Sequence, residues 1–544
     1  MTKATLITFA IVLAHCGGAS TIGGSSSSTQ DGDSDSGSTS NTVVGGSVSE
    51  VSIENSSVTV TLEDLGSDDD VLLLIYSSSD SSQTTSFQVD SLSSASESAA
   101  FLQKSHDEVS FLETDQGAVL DDTEAFHQSL REWENQLEDD SLLISSSSNR
   151  YLRQVFLSVG SEKVFKVLNS FSGGSNYDEV TATLRHQSSS FNFYVDNRDA
   201  ASLTDDDLEE LAEEFEGVLD EEHSMFGTES DVDEDGRFAV LFTRTVNGIG
   251  GSSGGVVTGF FYAIDLFSSA RYSVSNEMEV FYTFVPDPNG DYGASISKSF
   301  AMSNIYPGVL VHEFQHMINF NQHYFENNSS AEEGWLNEAL SHLAEDIHSI
   351  DSQGYMQETG IENHARVASF LNDASSICMT CGTSLSQRGQ GYLFLRYLYE
   401  RAEAGDFSGV TSGSNFVSSL VQTGARGIDN VVDVLYGSSG DVSNFRELYG
   451  QFGLAIYLSN TDQSSNDIYQ FDGIDLRASA QDNRGTVHNG PAIQEVSSFP
   501  FTDSLSSNNL SYIRIPASLL QEVGGQLILN FSNQSNLGAY FIRE

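Results

Sequence analysis

His312 and His316 stand four residues apart with Glu313 next to the first, and no other feature limits so sharply what this chain can fold into. On a helix the two imidazoles leave from one face and can reach one metal ion. Glu313 then sits beside the metal rather than on it. Val311, Phe314, Ile318 and Phe320 are placed to pack around the helix. This is the pattern of a zinc-hydrolase helix, in which the carboxylate serves as general base toward water. Such a helix must be buried, and 544 residues of which 38% are hydrophobic suffice for two to four domains with proper cores.

A metal held for catalysis needs a third protein ligand. Glu338 follows His316 with 21 residues between them, in Trp335-Leu336-Asn337-Glu338-Ala339-Leu340-Ser341-His342. That interval is enough to finish one helix, turn through Asn327-Asn328-Ser329-Ser330 and return antiparallel. Ser330 and Glu333 have the spacing of a capping box, which predicts a second helix from about Ala331. Two neutral imidazoles and one carboxylate leave Zn2+ with one net positive charge and an open position for water.

With these two segments the chain resembles the gluzincin group of metallopeptidases, and within it the hyicolysin family of secreted bacterial zinc peptidases. The resemblance spans roughly Phe193 to Ala455 and is concentrated in the two helices. It implies zinc, endopeptidase activity on protein or peptide substrates and a thermolysin-like helical core. In that core an Asp four residues after the ligand Glu orients the first His, and here that place holds His342. The orienting role falls to His342, Glu345 or Asp346, with Asn337 beside the ligand glutamate. A Tyr three residues before a Gly-led helix supplies the oxyanion donor in aminopeptidase-like relatives. The aligned residue here is Arg388, in Arg388-Gly389-Gln390-Gly391-Tyr392, so the donor is Arg388 or a shifted Tyr392, with core packing the alternative for Tyr392.

The rest of the chain sets the surroundings. Seventy-eight acidic residues against 23 basic ones give a formal charge of -55, which disfavours nucleic acid and anionic membrane surfaces as partners and attracts divalent cations. Residues 1–16 read as a secretion signal ending in a lipoprotein-like box at Cys16. Lipid on Cys16, or ordinary cleavage nearby, would place the protein in the cell envelope or outside the cell. Any membrane attachment would come through that lipid. Cys378 and Cys381 are then left to form a local disulfide.

The expected class is α+β. The expected order is a Ser/Gly linker over 17–46, a small β-rich domain over 47–92, a helical linker or pro-segment over 93–150, the zinc-peptidase domain over 151–455 and a β-rich region over 456–544. Asp231-Val232-Asp233-Glu234-Asp235-Gly236 has the alternating carboxylates of a calcium loop. An EF-hand is excluded because its twelfth position is Phe242 and a strand follows. Asp231, Asp233 and Asp235 therefore read as a calcium-binding turn or an acidic surface turn. Two further functions compete with the endopeptidase. An aminopeptidase of the same zinc group would need an anionic site for a free amine, for which no signature is visible. A catalytically silent envelope binding lipoprotein would have no need of Glu313.

Overall fold

The run Val71-Leu72-Leu73-Leu74-Ile75-Tyr76 is apolar at every position, so as a strand it must be covered on both faces. In the computed structural model it is. The structure describes residues 40–44, 47–79, 84–92, 122–137, 157–171, 176–250, 255–348, 361–437, 440–479 and 485–544. The signal, Cys16 and most of the 17–46 and 93–150 segments lie outside the described residues. The strands are β1 (Ser40–Val44), β2 (Val48–Val51), β3 (Ser57–Leu62), β4 (Val71–Ser77), β5 (Thr85–Ser91), β6 (Glu162–Ser170), β7 (Asn176–Gln187), β8 (Phe191–Asp196), β9 (Phe238–Phe242), β10 (Gly259–Phe261), β11 (Val280–Thr283), β12 (Gln494–Glu495), β13 (Phe501–Leu505), β14 (Asn509–Ile515), β15 (Gln526–Phe531) and β16 (Leu537–Arg543). The principal helices are α1 (Asp122–Asn135), α2 (Asp205–Phe226), α3 (Tyr306–Phe320), α4 (Gly334–His348), α5 (Ile361–Leu371), α6 (Leu385–Ala404) and α7 (Val442–Leu458).

Two five-stranded sheets, β1-β3-β15-β5-β13 and β12-β14-β4-β16-β2, draw strands from both ends of the chain. The β-rich pieces read separately as 47–92 and 456–544 thus share sheets, with β4 paired antiparallel to both β14 and β16. Alternation along β4 shows the consequence. Val71, Leu73 and Ile75 join the core between these two sheets, while Leu72, Leu74 and Tyr76 join the larger core of the central domain, where α7 packs against β4. The linker reading also gives way at its end: Ser40–Val44 is a strand paired parallel to β3. Backbone pairing at a sheet edge is a property that composition does not report.

The third sheet, β10-β11-β9-β8-β7-β6, has parallel strands at its centre and β10 at one edge, antiparallel to β11. Helices α2 and α3 pack on each other beside it. Phe314 of α3 stacks on Phe238 at 4.5 Å between ring centroids and meets Phe215 of α2 at 5.8 Å, which fixes that side of α3 to the sheet. Thr204 and Asp207 close the capping box at the start of α2. The box expected from Ser330 and Glu333 is not the start of α4, which begins at Gly334. Buried Glu332 instead accepts from Gly427 N at 2.7 Å and Asn430 Nδ2 at 2.9 Å, and Glu333 accepts from Trp335 Nε1 at 3.0 Å. Among the described residues no helix is long and apolar enough to cross a membrane.

Candidate metal centre

With Phe314 held against the sheet, the side of α3 that carries His312 and His316 faces α4. Contacts run in opposite senses along the two helices, from His312 to Glu345, His316 to Ser341 and Asn319 to Asn337. The histidine Nε2 atoms approach to 3.1 Å. Glu338 lies against both, with Oε2 3.7 Å from His312 Nε2 and Oε1 3.6 Å from His316 Nε2. These three side chains offer ligand atoms within 4.8 Å of one another.

Glu338 is 0% exposed, and neither of its oxygens has a hydrogen-bond partner among the described residues. A carboxylate buried in that way costs several kcal/mol unless a cation compensates it, so the donor set fits a divalent metal. Arg131 and Arg388 approach to 3.6 and 3.8 Å, beyond hydrogen-bonding reach, and against the effect of burial their charges and the two imidazoles hold the Glu338 carboxyl well below its usual range. His312, His342 and Glu345 form a second group with ligand atoms within 4.8 Å. In that group Glu345 Oε1 already binds His312 Nδ1 at 2.6 Å and His342 Nδ1 at 3.0 Å. A carboxylate only accepts, so the His312 proton sits on Nδ1 and the Nε2 lone pair is left for a metal.

Both imidazoles are oriented. Asn337 Oδ1 lies 2.9 Å from His316 Nδ1, and Asn319 Nδ2 donates to the same oxygen at 3.2 Å. Glu345 is in turn held by Asn363 Nδ2 at 3.1 Å, with Arg366 Nη1 4.0 Å away. Buried as it is, Glu345 stays well below the carboxylate range because His342 and His312 bind its anion. Burial, reinforced by Arg366, pushes His342 down to about 3. Of the three orienting candidates, Glu345 contacts His312 by hydrogen bond and His342 contacts Glu345. Asp346 faces elsewhere, accepting from Arg396 Nη1 at 2.7 Å and Tyr392 OH at 2.6 Å.

Glu313 accepts from the backbone N–H of Phe261 on β10 at 2.7 Å. Burial pushes its carboxyl up to about 7, opposed by His312 and Arg131. The close approach of β10 requires Gly259, since a Cβ there would lie 2.7 Å from Val309 Cγ1. A cleft of about 420 Å³ opens over His312 and Glu313. Arg388 lines it, whereas Tyr392 is fully buried on Asp346 and does not, which removes Tyr392 from the candidate donors. The phenol is drawn into the buried network of Arg396 and Asp346.

Sequence reasoning missed the wall contributed by α1. Its Thr123, Glu124 and His127 line the cleft, and Arg131 Nη1 lies 2.9 Å from Glu134 while its Nε points toward Glu338. Burial drives His127 well below the usual imidazole range, so the ring is neutral. Phe126 and Leu130, four apart and buried, anchor the helix. That spacing announces a helix but not where it docks. The calcium-loop residues Asp231 and Asp233 come together with Glu279, not with Asp235 as the third member. Cys378 and Cys381 are disulfide-bonded, with Cα atoms 5.5 Å apart.

No protein-family model matches the chain. Over 240 residues, 43% of its length, it is 29% identical to the neutral metalloprotease ShpI of Staphylococcus hyicus, and the match spans 50% of that protein. The chain thus spans about half the length of the curated relative it matches.

Proposed function

We propose that this protein is a zinc-dependent metalloendopeptidase, exported and acting on extracellular protein, with His312, His316 and Glu338 as metal ligands and Glu313 as general base. The observation that carries the reading is the buried carboxylate of Glu338, without a hydrogen-bond partner among the described residues, facing two convergent imidazoles beside Glu313. The likeness to a neutral metalloprotease supports it.

Zinc bound there would supply a Lewis acid for the scissile carbonyl and for the attacking water. Glu313 takes the proton from water and returns it to the leaving amine; an elevated carboxyl pKa suits both transfers. Glu345 holds His312, and Asn337 with Ser341 holds His316, so the imidazoles need no reorganisation. Arg388 and neutral His127, both lining the cleft, present N–H donors to the oxyanion that develops on the carbonyl. The apolar run before Cys16 serves export in this proposal, and lipid on Cys16 would supply the anchor.

Chelation with 1,10-phenanthroline should abolish casein cleavage by the full chain, and added Zn2+ should restore it. Cleavage that persists in metal-stripped protein would refute the proposal.

A further inference from the structure

The acidic turn ahead of β9 lacks the twelfth-position glutamate of an EF-hand, and the fold brings a glutamate to it from elsewhere. Asp231, Asp233 and Glu279 each place a carboxylate oxygen within 4.8 Å of the others. Glu279 precedes β11, which runs parallel to β9, and Ala239 N donates to Glu279 O at 2.8 Å. The strand pairing itself delivers the distant carboxylate to the turn.

Glu279 is 1% exposed. Its Oε1 accepts from Ser230 Oγ at 2.5 Å and Val232 N at 2.8 Å, while its Oε2 is buried with no hydrogen-bond partner among the described residues. A hard, oxygen-only cation is what such an acceptor lacks. The turn is also shaped around its carboxylates. Asp231 Oδ1 accepts from Gly236 N at 3.1 Å and Asp233 Oδ1 from Asp235 N at 3.3 Å, with Gly236 at φ 71°. Two cations stand near the turn: Arg237 spends its side-chain hydrogen bonds on the carbonyls of Ser188 and Asp235, and Lys163 acts on Asp233 and Asp235 by its charge, against three aspartates and Glu279.

We propose that Asp231, Asp233 and Glu279 bind one Ca2+ ion, a site separate from the zinc centre that clamps the turn to the parallel pair β9 and β11. Without the ion the acids repel one another. The oxygen ligands favour Ca2+ over zinc, and the exposure of Asp231 with the half-buried Asp233 leaves room for waters to complete the shell.

The test titrates Ca2+ into the full-length chain by calorimetry, with thermal unfolding followed in parallel, for wild type, Asp231→Asn and Glu279→Gln. The zinc-site variant Glu338→Gln serves as control. Wild type and Glu338→Gln should show one saturable site in the range of about 10⁻⁴–10⁻³ M typical of extracellular calcium modules, or tighter. Asp231→Asn and Glu279→Gln should weaken it at least tenfold. Because Glu279→Gln removes a buried charge, this variant should unfold no earlier than wild type in chelator and earlier than wild type in saturating Ca2+. That crossing separates a lost ion from a damaged fold. Equal affinity and equal Ca2+-dependent stabilisation in all four proteins would overturn the proposal and assign calcium uptake to the general acidity of the chain, as would the absence of a saturable site in wild type.

Discussion

Of the carboxylates that helix α4 buries, Glu338 lies against the two imidazoles and Asp346 lies away from them, and these two are treated in opposite ways. Asp346 is met by Arg396 Nη1 at 2.7 Å and Tyr392 OH at 2.6 Å, and Arg396 Nε continues to Glu400 at 2.8 Å. Glu338, equally inaccessible, has no hydrogen-bond donor among the described residues. A buried acid surrounded by its own donors is architecture, because protein groups already supply what water would have. A buried acid with no hydrogen-bond donor among the described residues, with two imidazole nitrogens turned toward it, is where the proposed metal would be held.

The difference can be broken by exchanging the losses. Glu338→Gln should abolish metal binding and cleavage together while changing the stability of the metal-free fold less than Asp346→Ala does, since no hydrogen bond to a described residue is lost. Asp346→Ala should do the reverse: it removes the acceptor of Arg396 Nη1 and Tyr392 OH, leaves Glu400 on Arg396, and costs about 1–3 kcal/mol of stability, yet the folded fraction still takes up metal. Denaturant unfolding with metal analysis on both variants decides it, and a Glu338→Gln destabilised more than Asp346→Ala would contradict the contrast. Next in size, Glu345→Gln should lower metal affinity by about 10–100-fold through the freed His312 ring, measured by competition with a chelating dye. Zinc affinity equal to wild type would remove Glu345 from its orienting role. Smaller again, Arg388→Ala should lower kcat with little change in metal content, because the guanidinium lines the cleft and stands 3.8 Å from Glu338. The smallest effect belongs to Tyr392→Phe. It removes one hydrogen bond to Asp346, about 1 kcal/mol, and should leave kcat and KM unchanged; a large kcat loss would return the phenol to the reaction.

The sequence carried the centre of the site further than its rim. The i, i+4 histidines and the 21-residue interval to Glu338 reflect local helical geometry, which short-range spacing encodes well. Helix phase also separates the orienting candidates. At 100° per residue, Glu345 lies about 20° from Glu338 around α4 and Asp346 about 80°, so the contact of Glu345 with His312 was readable from position alone. Arg388 and Tyr392 share a helix face and cannot be told apart that way; the network of Arg396 and Asp346 decides between them. His127 and Arg131 were illegible because nothing in α1 says that it will dock beside α4. The same holds for Glu279, which reaches the Asp231 turn through strand pairing, and for β4, whose two apolar faces signal double burial without naming β14 and β16 as its partners. Contacts made across hundreds of residues depend on topology, and single-sequence patterns contain almost none of it.

The most direct test of the central claim measures zinc per chain and casein cleavage in parallel for wild type and Glu313→Gln. One zinc in each, with cleavage sensitive to chelation in wild type and lowered by about 10²–10⁴ in the variant, is the expected result. A wild-type chain that binds no zinc, or a Glu313→Gln variant that cleaves as well as wild type, would contradict it.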